Sequence, residues 1–146
     1  MRIKIFYDGI KYRIRGSRNL QIMLEKVIRE ENRVPGDLNY IITTDEKVVR
    51  INREFLGREY FTDVVSFNYS IDNQTSGEIY VSLDTVRRNS TKFHVTLEAE
   101  LLRVMIHGLL HLVGYDDENK NDRKKMRERE DHYMKKIKEE WSSGMR

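Results

Sequence analysis

Along residues 2–15, charged and apolar side chains alternate on either side of Asp8 and Gly9, in RIKIFY and KYRIR. That pattern predicts two short strands joined as a hairpin. From residue 19 the apolar positions Leu20, Met23, Leu24, Val27 and Ile28 recur at helical spacing until Pro35 and Gly36, which predicts a helix over 19–32. LNYIIT follows as a strand, and Thr43 with Glu46 three residues later has the form of a capping box for a helix reaching Phe55. TDVVSFNY and GEIYVSL read as two further strands separated by the polar stretch IDNQTSG. A helix from Thr96 and a long charged helix over 119–141 complete the chain. Strands in the first two thirds and helices at the end predict an α+β fold, with one small mixed β-sheet packed against helices. Without an internal repeat, a low-complexity linker or a break in composition, residues 1–146 are expected to form a single domain.

One helix departs from the usual amphipathic plan. Between Leu97 and Val113 apolar residues fall on every face, as expected of a helix buried nearly all round. Yet this stretch contains His107 and His111, whose rings project from one face one turn apart. A buried imidazole without a partner costs on the order of 1–3 kcal/mol. A metal ion would satisfy both rings together. Gly114 can turn the chain back and bring Asp117 to the same point, giving a pattern of His, His at +4, Gly at +7 and an acid at +10. That is the ligand spacing of the metzincin zinc proteases, with aspartate in the third place. In those enzymes a glutamate follows the first histidine and acts as general base, whereas Gly108 follows it here. The glycine is expected to open space beside the metal for a bulkier group such as a phosphodiester.

Composition narrows the chemistry further. The chain has no cysteine, which excludes thiolate ligands, thiol nucleophiles and disulfides, so any metal is held by nitrogen and oxygen. The N-terminal stretch lacks the uninterrupted apolar run of a signal peptide or membrane span, and a cytoplasmic protein is expected. The formal charge of +3 is too mild to imply a nucleic-acid partner by itself. The closing helix mixes basic and acidic residues almost evenly, the mark of a solvated face.

HGLLHLVGYDD, residues 107–117, resembles the signature H-G-x-L-H-L-x-G-Y-D-H of the YbeY family of metal-dependent endoribonucleases. TDVVSF resembles that family's TDVLSF strand, GEIYVS its G-D-I strand, and Met126 with Glu130 the M-x-x-x-E of its closing helix. The resemblance implies a metal-dependent hydrolase that cleaves single-stranded RNA in ribosomal RNA maturation and ribosome quality control, with ribosomal RNA precursors and ribosomal components as partners. It implies one divalent metal per chain, zinc first, on His107, His111 and Asp117. Two positions depart from the pattern. Asp117 stands where the family usually has its third histidine, and Leu56 stands where it keeps a functionally important arginine. Arg58, two residues on, is the expected catalytic replacement, with Arg53 and Ser66 expected to contact substrate. Asp116 is a candidate base by position, while His94 and His132 are expected outside the site. Two other classes remain open at this point: a metallopeptidase-like hydrolase, and a non-catalytic ribosome-associated factor with a structural metal.

Overall fold

The computed structural model describes residues 2–58 and 62–144, with side chains to residue 140. In chain order the elements are β1 (Ile3–Tyr7), α1 (Ser17–Glu30), β2 (Val34–Thr43), α2 (Asp45–Leu56), β3 (Val64–Asn68), β4 (Gln74–Ser82), α3 (Leu83–Lys92), α4 (Leu97–Leu112) and α5 (Lys120–Gly144). The four strands form one mixed sheet in the order β1-β2-β4-β3, with β1, β2 and β4 parallel and β3 antiparallel to β4. This is the expected α+β arrangement.

Alternation along the strands assigns the two faces of the sheet. Leu38, Tyr40 and Ile42 of β2 and Ile79 and Val81 of β4 enter the larger core with α1, α4 and α5. Val65 of β3 points the other way, joining Val48 and Ile51 of α2 beside Phe67 and Tyr80. The sheet therefore separates α2 from α4. Tyr40, fully buried, donates its hydroxyl to the Met105 carbonyl at 2.9 Å, which locks α4 onto the sheet and satisfies a polar group that would be costly unpaired. Among the described residues no helix is long and apolar enough to cross a membrane.

Four local expectations are corrected. KYRIR does not pair with β1; that strand instead runs parallel to β2, with Ile3 opposite Leu38 and Tyr7 opposite Ile42. Ile10, Tyr12 and Ile14 pack onto the core from an irregular segment, and the Ile14 N–H donates to the Tyr7 hydroxyl at 3.1 Å. The alternation there serves coverage of the core rather than a ladder. Pro35 and Gly36 lie inside β2 at a register irregularity, one of the few places a strand accepts proline. The N-cap of α2 is Thr44, which accepts from Lys47 N at 3.3 Å, because Thr43 is a buried strand residue. Finally, α3 follows β4 without a loop, capped by Ser82, which accepts from Thr85 N at 3.2 Å.

Candidate metal centre

The C-terminal end of α4 carries the histidines. Thr96 caps the helix start by accepting from Ala99 N at 3.1 Å, and apolar packing fixes the helix on nearly every side. At the other end Gly114 adopts φ 109°, donating to the His111 carbonyl while Tyr115 N donates to the Leu110 carbonyl. These two bonds make the Schellman pattern that reverses a chain after a helix. Tyr115 then donates its hydroxyl to Glu31 at 2.8 Å, anchoring the turn to the end of α1. Asp117 comes back over the helix end, its N–H donating to Asp116 Oδ1 at 2.8 Å.

His107, His111 and Asp117 thus converge. His111 Nε2 lies 3.1 Å from His107 Nε2, and Asp117 Oδ2 lies 3.3 Å from the first ring and 3.4 Å from the second. Around a tetrahedral ion with bonds of about 2.0–2.1 Å, ligand atoms sit roughly 3.3–3.4 Å apart, so the triangle has the size such an ion requires. The protonation pattern agrees. Glu130 Oε2 lies 2.7 Å from His107 Nδ1, and since a carboxylate only accepts, Nδ1 is the donor of that bond and Nε2 is the ring atom directed at Asp117 and His111. The group could hold one metal ion.

A relay of charge stands behind His107. Glu130, buried on α5, also accepts from Arg103 Nη1 at 3.0 Å, and the same guanidinium reaches Asp131 at 3.0 Å. Arg103, His107 and His111 lie at i, i+4 and i+8 on one stripe of α4. Burial alone would lower the His107 pKa, but the hydrogen bond and charge of Glu130, with Asp117 and Asp63 beyond, raise it. Burial also raises the carboxyl pKa of Asp63, against the opposing pull of His107 and two backbone N–H groups.

A cleft of about 530 Å³ opens from the ligands toward β3 and the end of α2. Arg58, Leu56, Asp63, Ser66 and Asp116 are on its wall with the three ligands. Ser66 donates its hydroxyl to the Gly108 carbonyl at 3.4 Å. Arg53 lines a different hollow, with Asp45 and Arg50, and is not brought to the cleft. His94 closes α3 at φ 56° and His132 pairs with Glu30 at 3.3 Å; neither joins the ligands. Gly108 plays a different part from the one expected. A Cβ there would meet Ile79 Cγ2 at 2.8 Å, Ser66 Oγ at 3.2 Å and Val64 Cγ2 at 3.3 Å, so the glycine lets α4 lie close against the sheet. Arg103 and the role of Glu130 were missed by sequence reasoning. The signal for Arg103 was present, as the one basic residue on the histidine stripe within an otherwise apolar span.

Two histidines and an aspartate on a cleft wall, opening to a cavity with a cationic side chain, define a metal-dependent hydrolase. The chain belongs to the YbeY family: the family model described as endoribonuclease YbeY matches residues 11–138. Among curated relatives, the endoribonuclease YbeY of Flavobacterium psychrophilum is 40% identical over 130 residues, 89% of this chain and 93% of that one. Its counterpart from Chlorobaculum tepidum is 44% identical, covering 79% and 84% of the two chains. A solution structure of a Thermotoga maritima protein shares the fold with a TM-score of 0.66 and 35% identity, over 97% of this chain and 92% of that one.

Proposed function

We propose that the protein is a single-strand-specific endoribonuclease of ribosomal RNA maturation and ribosome quality control, acting in the cytoplasm on ribosomal RNA precursors in contact with ribosomal components. Residues 1–146 form its one domain. One zinc ion is held by His107, His111 and Asp117, and the observation that carries this reading is the convergence of their three donor atoms within 3.1–3.4 Å at the head of the cleft.

When bound there, the ion supplies a Lewis acid and lowers the pKa of a water molecule. Glu130 holds His107 in the tautomer that keeps Nε2 free, and Arg103 holds Glu130. Arg58 binds the non-bridging oxygens of the phosphate, where its planar fork meets the charge that develops during attack. The half-buried carboxyl of Asp63, its pKa raised by desolvation, is suited to take and return a proton at the cleft wall. Ser66, with its hydroxyl on Gly108, orients the strand side of the substrate.

The metallopeptidase reading loses support at Gly108. No acid follows the first histidine, and even a methyl group there would press on Ile79. Leu56 at the family's arginine place is the observation favouring a non-catalytic ribosome-associated factor. Metal analysis of protein purified without added metal, followed by assays on single-stranded RNA and on a peptide library with the same sample, separates the three. One zinc per chain with RNA cleavage supports the proposal; stoichiometric metal with no RNA cleavage favours the structural role.

A further inference from the structure

His107 and Asp117 line two hollows. Besides the cleft toward Arg58, a smaller hollow of about 170 Å³ lies on the α5 side, lined by Arg123, Met126, Arg127 and Glu130 with the same two ligands. An enzyme that cuts inside a chain must pass nucleotides in both directions from the scissile bond, and here a cavity leaves the ligands on each side.

The chemistry of the smaller hollow suits a phosphate. Arg123 and Arg127 are one helical turn apart and therefore neighbours on the same face of α5, an arrangement that like charges disfavour. Both are exposed. Arg123 donates to a backbone acceptor, the Glu118 carbonyl, at 3.1 Å, and neither guanidinium makes an ion pair among the described residues. Of the two acids in the hollow, Glu130 is engaged by Arg103 and His107, and Asp117 faces the histidines. Buried Met126 fills the space between the arginines and α4. Two cations thus line a cavity that also reaches His107 and Asp117.

We propose that Arg123 and Arg127 form a phosphate subsite for the RNA backbone flanking the scissile bond, on the branch of the site that Arg58 does not line. The subsite rests on the endoribonuclease reading and extends it by giving the substrate strand a path past the ligands onto α5.

The test is equilibrium binding of a fluorescently labelled 2′-O-methyl oligouridylate to the metal-loaded full chain across a salt series, with the probe checked for intactness after each titration. Each phosphate contact to a single strand contributes about 0.7 to the slope of log affinity against log salt, so R123A/R127A should lower the slope by about 1.4. Its affinity should fall about tenfold at low salt. R123K/R127K should restore the slope. K124A/K125A removes the same charge from exposed positions of the same helix that do not line the hollow, and should stay within about twofold of the parent. The subsite is overturned if R123A/R127A keeps the parental slope, or if K124A/K125A lowers it as much. Failure of the parent chain itself to bind the probe would instead strike the ribonuclease reading on which the subsite depends.

Discussion

The two walls of the cleft are built on opposite plans. On the α4 side two of the three converging residues are braced from behind: His107 is gripped by Glu130, Glu130 by Arg103, and the turn that carries Asp117 is pinned through Tyr115 to Glu31. On the α2 side the wall ends in Leu56, Gly57 and Arg58 just past the helix C-terminus, where Gly57 at φ 65° donates to the Arg53 carbonyl. Leu56 and Arg58 are exposed, and the negative end of the α2 dipole lies beside the Arg58 cation. A metal-binding wall must hold its atoms to a fraction of an ångström before the ion arrives. A phosphate-binding wall can close on its ligand by moving a long side chain.

If that contrast holds, substitutions on the rigid wall act on metal and those on the open wall act on rate. The largest effect is expected at the histidines. His107→Ala and His111→Ala should each remove stoichiometric metal, since two remaining ligands compete poorly with water, and RNA cleavage should fall below detection. One tightly held ion per chain in either variant, measured by metal analysis after dialysis, would break the comparison at its base. Next is Arg58. Removing a positioned donor to a developing oxyanion typically costs about 100-fold or more in rate. Arg58→Ala should approach that loss, and Arg58→Lys should lose most of the rate because an ammonium lacks the fork, both with metal content at the parental level. Cleavage at the parental rate by Arg58→Ala would make Arg58 an ordinary surface residue. A rate gain in Leu56→Arg would then mark the chain as a weakened nuclease.

How much of this was legible in the sequence depends on the range of the interaction that decides it. Helical periodicity revealed α1, apolar residues on every face α4 and a long charged stretch α5, while β-branched and aromatic composition revealed β2, β3 and β4, because each of these signals is carried by the element's own residues. In α3 only Leu83, Val86 and Ser90 are buried, and Ser82 passes directly from strand to cap, so no turn punctuates it. The partner of β1 is chosen by the crossover through α1, which residues 3–15 do not encode. Within the site, the spacing of His107, His111, Gly114 and Asp117 is local and could be read directly. The grip of Glu130 on His107 spans 23 residues and that of Arg103 on Glu130 spans 27, so they appear only once α4 and α5 pack together. The part played by Gly108 is likewise a contact with a strand, invisible along the chain.

Glu130 tests the rigid wall at one remove from the metal. Glu130→Gln keeps the volume and an oxygen for the His107 Nδ1 proton but removes the charge that makes the imidazole a better ligand. Outer partners of this kind are worth about 10–100-fold in metal affinity. Competition with a chelator should show a loss in that range, while saturating metal restores most of the cleavage rate. Unchanged affinity would mean that Glu130 serves only to join α5 to α4.

The smallest expected effect lies where the rigid wall is tied to the rest of the fold. Glu31 receives hydrogen bonds from Tyr115, Tyr133 and Arg129, which join the end of α1 to the ligand turn and to α5. Burial works to raise its carboxyl pKa, but these three donors overcome that and hold it below the ordinary glutamate value. A carboxyl with a depressed folded-state pKa stabilises the protein fully above its unfolded value, about 4.3, and loses that contribution as pH falls through the folded value. Hydrogen bonds to a charged group contribute about 1.5–3 kcal/mol when well shielded, and partial solvent exposure reduces this to about 1 kcal/mol here. Glu31→Gln should therefore unfold at lower denaturant concentration than the parent at pH 7. The gap should persist down to about pH 5 and shrink in more acidic solution, as the parent protonates Glu31 and loses the same interaction. A gap that stays constant through the acid range would assign the loss to altered packing around Tyr133 and would leave the ligand turn without its electrostatic tie.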